Sequence, residues 1–82
     1  MDETSEIVVD ARGHRCPVPT LKLRRAIEAA SPNARLILIA DDPMARIDVP
    51  HFAAQAGVSL VQITEREGTL TFSIAKSADD RR

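Results

Sequence analysis

Glu6-Ile7-Val8-Val9-Asp10-Ala11-Arg12-Gly13-His14-Arg15-Cys16-Pro17-Val18-Pro19 reads as a strand that runs through a loop into a helix. Ile7-Val8-Val9 is a short β-branched run, which predicts a strand over Glu6–Asp10. Gly13 suits a tight bend with positive φ. Pro17 and Pro19 look like helix breakers, yet in a first turn they are not. The first N–H groups of a helix have no carbonyl partner within it, so a residue lacking that N–H loses nothing there. This reading makes Cys16 the N-cap, with Pro17, Val18 and Pro19 as the first three helical residues. The helix is expected to run from Pro17 to about Ala30, because Leu23, Ala26, Ile27 and Ala30 fall on one face.

Beyond Ser31-Pro32-Asn33, the run Arg35-Leu36-Ile37-Leu38-Ile39-Ala40 is continuously apolar and predicts a central strand. Strand, helix and strand in succession make a right-handed βαβ unit with parallel strands. The C-terminal ends of both strands then share one edge, which brings Asp41-Asp42-Pro43 beside the cysteine loop. A second helix is predicted within Met44 to Ala56, with Asp48 capping its main part and Val49 and Pro50 in the first turn. Phe52, Ala53 and Ala56 should face the sheet, and Gly57 suits the residue after the helix. A third strand is expected over about Val58 to Glu65, a turn at Arg66-Glu67-Gly68, and a fourth strand over Thr69 to Lys76. In that last strand Leu70, Phe72 and Ile74 alternate with Thr71, Ser73 and Ala75. The order βαβαββ predicts an α/β (α+β) two-layer sandwich, with two helices on one face of a four-stranded sheet. One domain should span residues 6–76, between a disordered N-terminus at 1–5 and a disordered tail at 77–82.

The 82 residues carry a net charge of −1, with 44% hydrophobic and 28% charged side chains. That suits one small globular domain. The only aromatics are two Phe, which argues against a base-stacking surface and, with the near-neutral charge, against nucleic acid. No apolar run approaches the ~20 residues of a membrane span. The acidic start Met1-Asp2-Glu3-Thr4-Ser5-Glu6 is wrong for a secretory signal, so a cytoplasmic location is expected. A single cysteine forms no internal disulfide. His14 and His51 have no ligand spacing, so neither metal nor other cofactor is expected. No long hydrophobic segment is left unassigned, so a monomer is expected.

Cys16 is the candidate reactive residue. A helix start and the nearby charges of Arg12 and Arg15 favour a thiolate. An ordinary thiol, with a pKa of ~8.5, is only about 3% ionised at pH 7; such surroundings lower the value to between ~3.5 and ~7.5. The amides of Val18 and Thr20 are expected to point at the sulfur. Lys22, Arg24, Arg25 and Glu28 occupy the open face of the helix; Lys22 and Arg25 are candidates for docking a partner, and Arg24 can pair with Glu28. Asp41 and Asp42 are further docking candidates. They either anchor Arg12 or Arg15, raise the cost of a thiolate, or serve turn and cap chemistry. The bland alternative for Cys16 is a small buried hydrophobe.

The run Asp10 to Pro19 resembles the signature Asp-x-x-Gly-x-x-Cys-Pro-x-Pro of the TusA/SirA-like sulfur-carrier family. Ala40-Asp41-Asp42-Pro43, followed by Asp48-Val49-Pro50-His51-Phe52, is similar to that family's block after the second strand. The resemblance covers about Val8 to Lys76. It implies a sandwich like the C-terminal domain of a bacterial translation initiation factor, with strand order 1-2-4-3 and strand 4 antiparallel to the rest. It also implies a sulfurtransferase role, in which Cys16 carries sulfane sulfur as a persulfide. The donor would be a protein of cysteine desulfurase or rhodanese type and the acceptor a second protein, serving tRNA thiolation, molybdenum cofactor sulfuration, sulfur oxidation or selenium handling. Gly13, Pro17 and Pro19 match as shapers of the loop and helix start, and Asp10 as a structural residue. His14 departs from the family's frequent Leu, which touches partner choice more than chemistry. A rival reading is a redox-sensing or regulatory module that oxidises the same cysteine. RNA binding is a third, by fold analogy alone.

Overall fold

The computed structural model describes residues 6–76. The strands are β1 (Glu6–Asp10), β2 (Arg35–Ala40), β3 (Ser59–Arg66) and β4 (Thr69–Ala75), and the helices are α1 (Val18–Ala29) and α2 (Ala45–Ala56). The sheet order is β1-β2-β4-β3. β1 lies parallel to β2, and β4 runs antiparallel to both β2 and β3. This is the expected βαβαββ sandwich and strand order. The frayed ends expected at 1–5 and 77–82 lie outside the described residues.

Period-two alternation sorts the sheet's two faces. Leu36, Leu38 and Ala40 of β2 and Leu70, Phe72 and Ile74 of β4 are buried against Leu23 and Ile27 of α1 and Val49 and Phe52 of α2. The intervening Ile37, Ile39, Thr71 and Ser73 lie on the opposite face and are only partly covered. β2 is therefore central in the sheet, but among the described residues one of its faces has no helix over it. The hairpin between β3 and β4 turns at Glu67 (φ 52°) and Gly68 (φ 84°). Two successive positive φ values match the right-handed twist of paired strands. No helix among the described residues is long and apolar enough to cross a membrane.

Three local expectations are corrected. α1 starts at Val18, so Pro17 and not Cys16 is its N-cap. The amide of Val18 already bonds the Arg15 carbonyl (2.9 Å), and this turn pushes the helix start one residue on. α2 starts at Ala45, with Met44 as N-cap, so Asp48 lies within the helix and Pro50 deeper still. The earlier start is held by amide bonds from Ala45 to Asp42, Arg46 to Pro43 and Ile47 to Met44 (2.9–3.1 Å). Pro50 leaves the Arg46 carbonyl without the bond its missing N–H would make. Ala56 is exposed rather than facing the sheet, while Phe52 and Ala53 are buried as expected. Gly57 closes α2 in the left-handed region at φ 76°.

α1 ends against the far strand. Its last carbonyls, those of Ile27 and Ala30, both accept from Lys76 Nζ at 2.7 Å. A cation at the carbonyl end complements the helix dipole.

Candidate functional site

The parallel β1–β2 pair delivers two loops to one edge of the sheet. The amide of Ala11 extends the ladder to the Ile39 carbonyl (2.7 Å), and Ala11 itself is fully buried. The chain then turns through Gly13 at φ 83°. Asp10 holds the turn, its Oδ1 accepting from the Arg12 amide at 3.1 Å. The Arg12 guanidinium folds back on the same carboxylate at 3.0 and 2.8 Å. That pairing holds the Asp10 carboxyl down to about 2.

The second loop clamps the first. The carboxylate of Asp41 accepts from the Gly13 amide at 3.0 and 3.1 Å. Asp42 Oδ2 accepts from the Cys16 amide at 2.7 Å, and its Oδ1 from the Met44 amide at 3.1 Å. One side chain thus starts α2 and fixes the backbone of Cys16. These bonds to N–H groups lower the Asp42 carboxyl, with Arg15 adding a favourable charge. Of the roles open to Asp41 and Asp42, anchoring Arg12 or Arg15 is not the one their hydrogen bonds serve: they grip the loop's backbone.

Gly13, His14, Arg15 and Cys16 face Asp41, Asp42, Pro43 and Met44 across an open depression of about 550 Å³. Cys16 is a free, partly buried thiol on its wall. The expectation of a depressed thiol pKa is overturned. The thiol is pushed up to about 11, first by burial, then by a hydrogen bond to Asp48 and by the charges of Asp42 and Asp48. The Thr20 side chain acts in the opposite sense and lowers it. The reason for the reversal is spatial. Arg12 is taken up by Asp10, the Val18 amide by Arg15, and folding brings two carboxylates from the α2 side towards the sulfur. The Thr20 hydroxyl is buried without a hydrogen-bond partner.

Asp48 is the site residue that sequence reasoning missed, having been placed as a helix cap. The signal available was topological: the start of α2 must lie on the edge where β1 and β2 end. The basic face of α1 is where it was expected. Lys22 and Arg25 are exposed beside Val18, Leu21, Arg24 and Glu28 along a shallow groove. Arg24 lies over the Phe52 ring, 5.7 Å from its centroid, instead of pairing with Glu28.

Residues 7–76 match the family model described as "Sulfurtransferase TusA". This chain belongs to the TusA family. The sulfur carrier protein TusA of Pseudomonas aeruginosa (strain LESB58) is 35% identical over 79 residues, covering 96% of this chain and 100% of the relative. That of Pseudomonas putida (strain GB-1) is 37% identical over 78 residues, covering 95% and 98%. The crystal structure of a SirA-like protein from Desulfitobacterium hafniense has the same fold. It superposes with a TM-score of 0.76 at 22% identity, covering 87% of this chain and 97% of that one.

Proposed function

We propose that this TusA-family protein is a sulfur carrier that takes sulfane sulfur onto Cys16 as a persulfide and passes it to an acceptor protein. The carrier role rests on family membership over nearly the whole chain. The observation that supports Cys16 as the carrying atom is its setting. It is the chain's single cysteine, its amide is pinned by Asp42, and it opens onto a depression that a partner's cysteine can enter. A lone thiol suits an intermolecular relay, because no second thiol resolves the persulfide into an internal disulfide. The donor is proposed to be a protein persulfide of cysteine desulfurase or rhodanese type, and the cytoplasm, where free thiols persist, the compartment. Lys22 and Arg25, exposed on α1, are proposed to meet the partner.

The thiol's environment weighs against redox sensing. Sensor cysteines are accessible and have a low pKa, whereas this one is pushed up to about 11. The empty carrier is therefore a protonated and sluggish thiol. The proposal is tested by intact mass after incubation with a cysteine desulfurase and cysteine. The expected result is a reductant-reversible gain of one sulfur atom that Cys16→Ser abolishes completely. Sulfur retained on the serine variant overturns the assignment of Cys16.

A further inference from the structure

We propose that Asp42 is a positioning residue for sulfur transfer: through the backbone of Cys16 it keeps the sulfur aimed at the space from which a donor persulfide enters. The inference rests on the reading of Cys16 as the carrying residue. Three observations lead to it. Asp42 Oδ2 accepts from the Cys16 amide at 2.7 Å, a bond that spans 26 residues of sequence. Its Oδ1 accepts from the amide of Met44, the N-cap of α2, at 3.1 Å. Cys16, Asp42 and Met44 all line the same depression, so both bonded residues border the volume a partner must fill.

Ordinary helix capping does not account for this arrangement. Starting α2 takes one acceptor oxygen for the Met44 amide, which a serine supplies as well. The second oxygen goes to Cys16, and the charge that comes with it holds the thiol up. Asp41 already ties the cysteine loop at Gly13, at 3.0 and 3.1 Å; Asp42 adds a tie at the reacting residue itself. The chemistry gives that tie a use. In loading, the Cys16 thiolate attacks the outer sulfur of a donor persulfide, R–S–SH. A bond forms between Cys16 Sγ and that sulfur, and the donor S–S bond breaks with its electron pair going to R–S⁻. The proton of Cys16–SH passes to water and R–S⁻ takes one from water, giving Cys16–S–SH and R–SH. Sulfane sulfur moves between two thiols, so no external oxidant or reductant is needed. Attacking, transferred and leaving sulfurs must lie close to one line, and a misplacement of about 1 Å costs on the order of a hundredfold in rate.

The test separates holding the helix from holding the cysteine. Asp42→Ala loses both bonds. Asp42→Ser keeps a hydroxyl that accepts from the amide two residues on, but is too short for the Cys16 amide. Both variants lose the charge, so alkylation by iodoacetamide should rise several-fold in each. Loading is followed with cysteine desulfurase and cysteine while the concentration of this chain is varied. The maximal loading rate should fall about tenfold in both variants, with the half-saturating concentration within about twofold of the parent. Asp42→Ser should nevertheless recover most of the melting temperature lost in Asp42→Ala. Lys76→Met, which weakens the other end of α1, should load at the parent rate and so exclude lost stability as the cause. Loading by Asp42→Ser at the parent rate, or rising in step with alkylation, overturns the positioning role and leaves the carrier reading intact. A change confined to the half-saturating concentration makes Asp42 a docking residue and overturns it too. A parent chain that alkylates but never gains sulfur overturns the carrier reading, and this inference falls with it.

Discussion

The two helices start on the same edge of the sheet, yet their first turns are built differently. α1 has a proline as its N-cap, no side-chain cap and no acidic residue in its first turn. α2 has Asp42 ahead of it, bonded to the Met44 amide, and Asp48 within its first turn. Cys16 precedes α1, but the charges that act most strongly on it come from the α2 side. A positive helix end favours a thiolate by a modest amount that falls off within the first turn. Burial together with two carboxylates outweighs it. The position of a cysteine at a helix start therefore does not fix its ionisation; the segment packed across from it decides.

The strongest way to break this contrast is to titrate the thiol. If the α1 start governed Cys16, its alkylation rate would level off below pH 8. With the thiol raised from its ordinary 9.0 to about 11, the rate should keep climbing into that range. At neutral pH the thiolate should be about a hundredfold scarcer than for an unperturbed thiol. Stability has a linked sign. The folded chain keeps a proton that the unfolded chain releases, so this group makes stability fall as pH rises from about 9 to about 11. Cys16→Ser should remove that part of the slope in pH-resolved thermal melts. A rate plateau near neutral pH would return control to the α1 start.

The same contrast explains what was legible in the sequence. Strand positions were readable because period two and β-branched runs leave little choice. Leu70, Phe72 and Ile74 are buried as their alternation requires, and β1 and β2 fall on Glu6–Asp10 and Arg35–Ala40 as expected. The right-handed crossover rule brought Asp41 and Asp42 to the cysteine loop. Strand order 1-2-4-3 came from the family resemblance instead, since hairpin and crossover rules alone admit other orders. What was not legible was the helix starts, and with them the thiol's electrostatics. Pro17 displaced Cys16 as N-cap because a turn to Arg15 took up the Val18 amide. Asp48 passed for a cap because Val49-Pro50 after it resembles a helix opening, whereas Asp42 had already started α2. Arg12 looked available to the sulfur, but its pairing with Asp10 depends on a turn whose shape no periodicity encodes.

Asp42→Ala sharpens the comparison, because this carboxylate belongs to both helix starts. Its loss frees the Cys16 amide and the Met44 amide together. It also removes one of the charges that hold the thiol up. We expect alkylation at pH 7 to rise several-fold, on the order of half a pKa unit's worth of thiolate, together with a lower melting temperature. Faster alkylation with an unchanged melt would assign Asp42 to electrostatics alone. A lower melt with unchanged alkylation would assign it to structure alone. The stabilising part of the bond is an ionised one. It is present above the ordinary carboxylate pKa of 3.8 and is lost as pH falls through the depressed folded value.

The smallest expected effect comes from the other end of α1, where no carboxylate and no sulfur intervene. Lys76 Nζ donates to the carbonyls of Ile27 and Ala30, both at 2.7 Å, and its backbone amide bonds the Ala34 carbonyl at 2.9 Å. Lys76→Met keeps the aliphatic stem and the backbone bond but removes the charge. A partly exposed charged donor to helix-end carbonyls contributes about 1 kcal/mol, or ~4–8 °C in melting temperature for a domain of this size. The alkylation profile of Cys16 should not move, since the substitution acts at the end of α1 remote from the sulfur. If Lys76→Met shifts the thiol's pH profile as well, the charge state of α1 as a whole reaches the cysteine, and the assignment of its ionisation to Asp42 and Asp48 has to be revised.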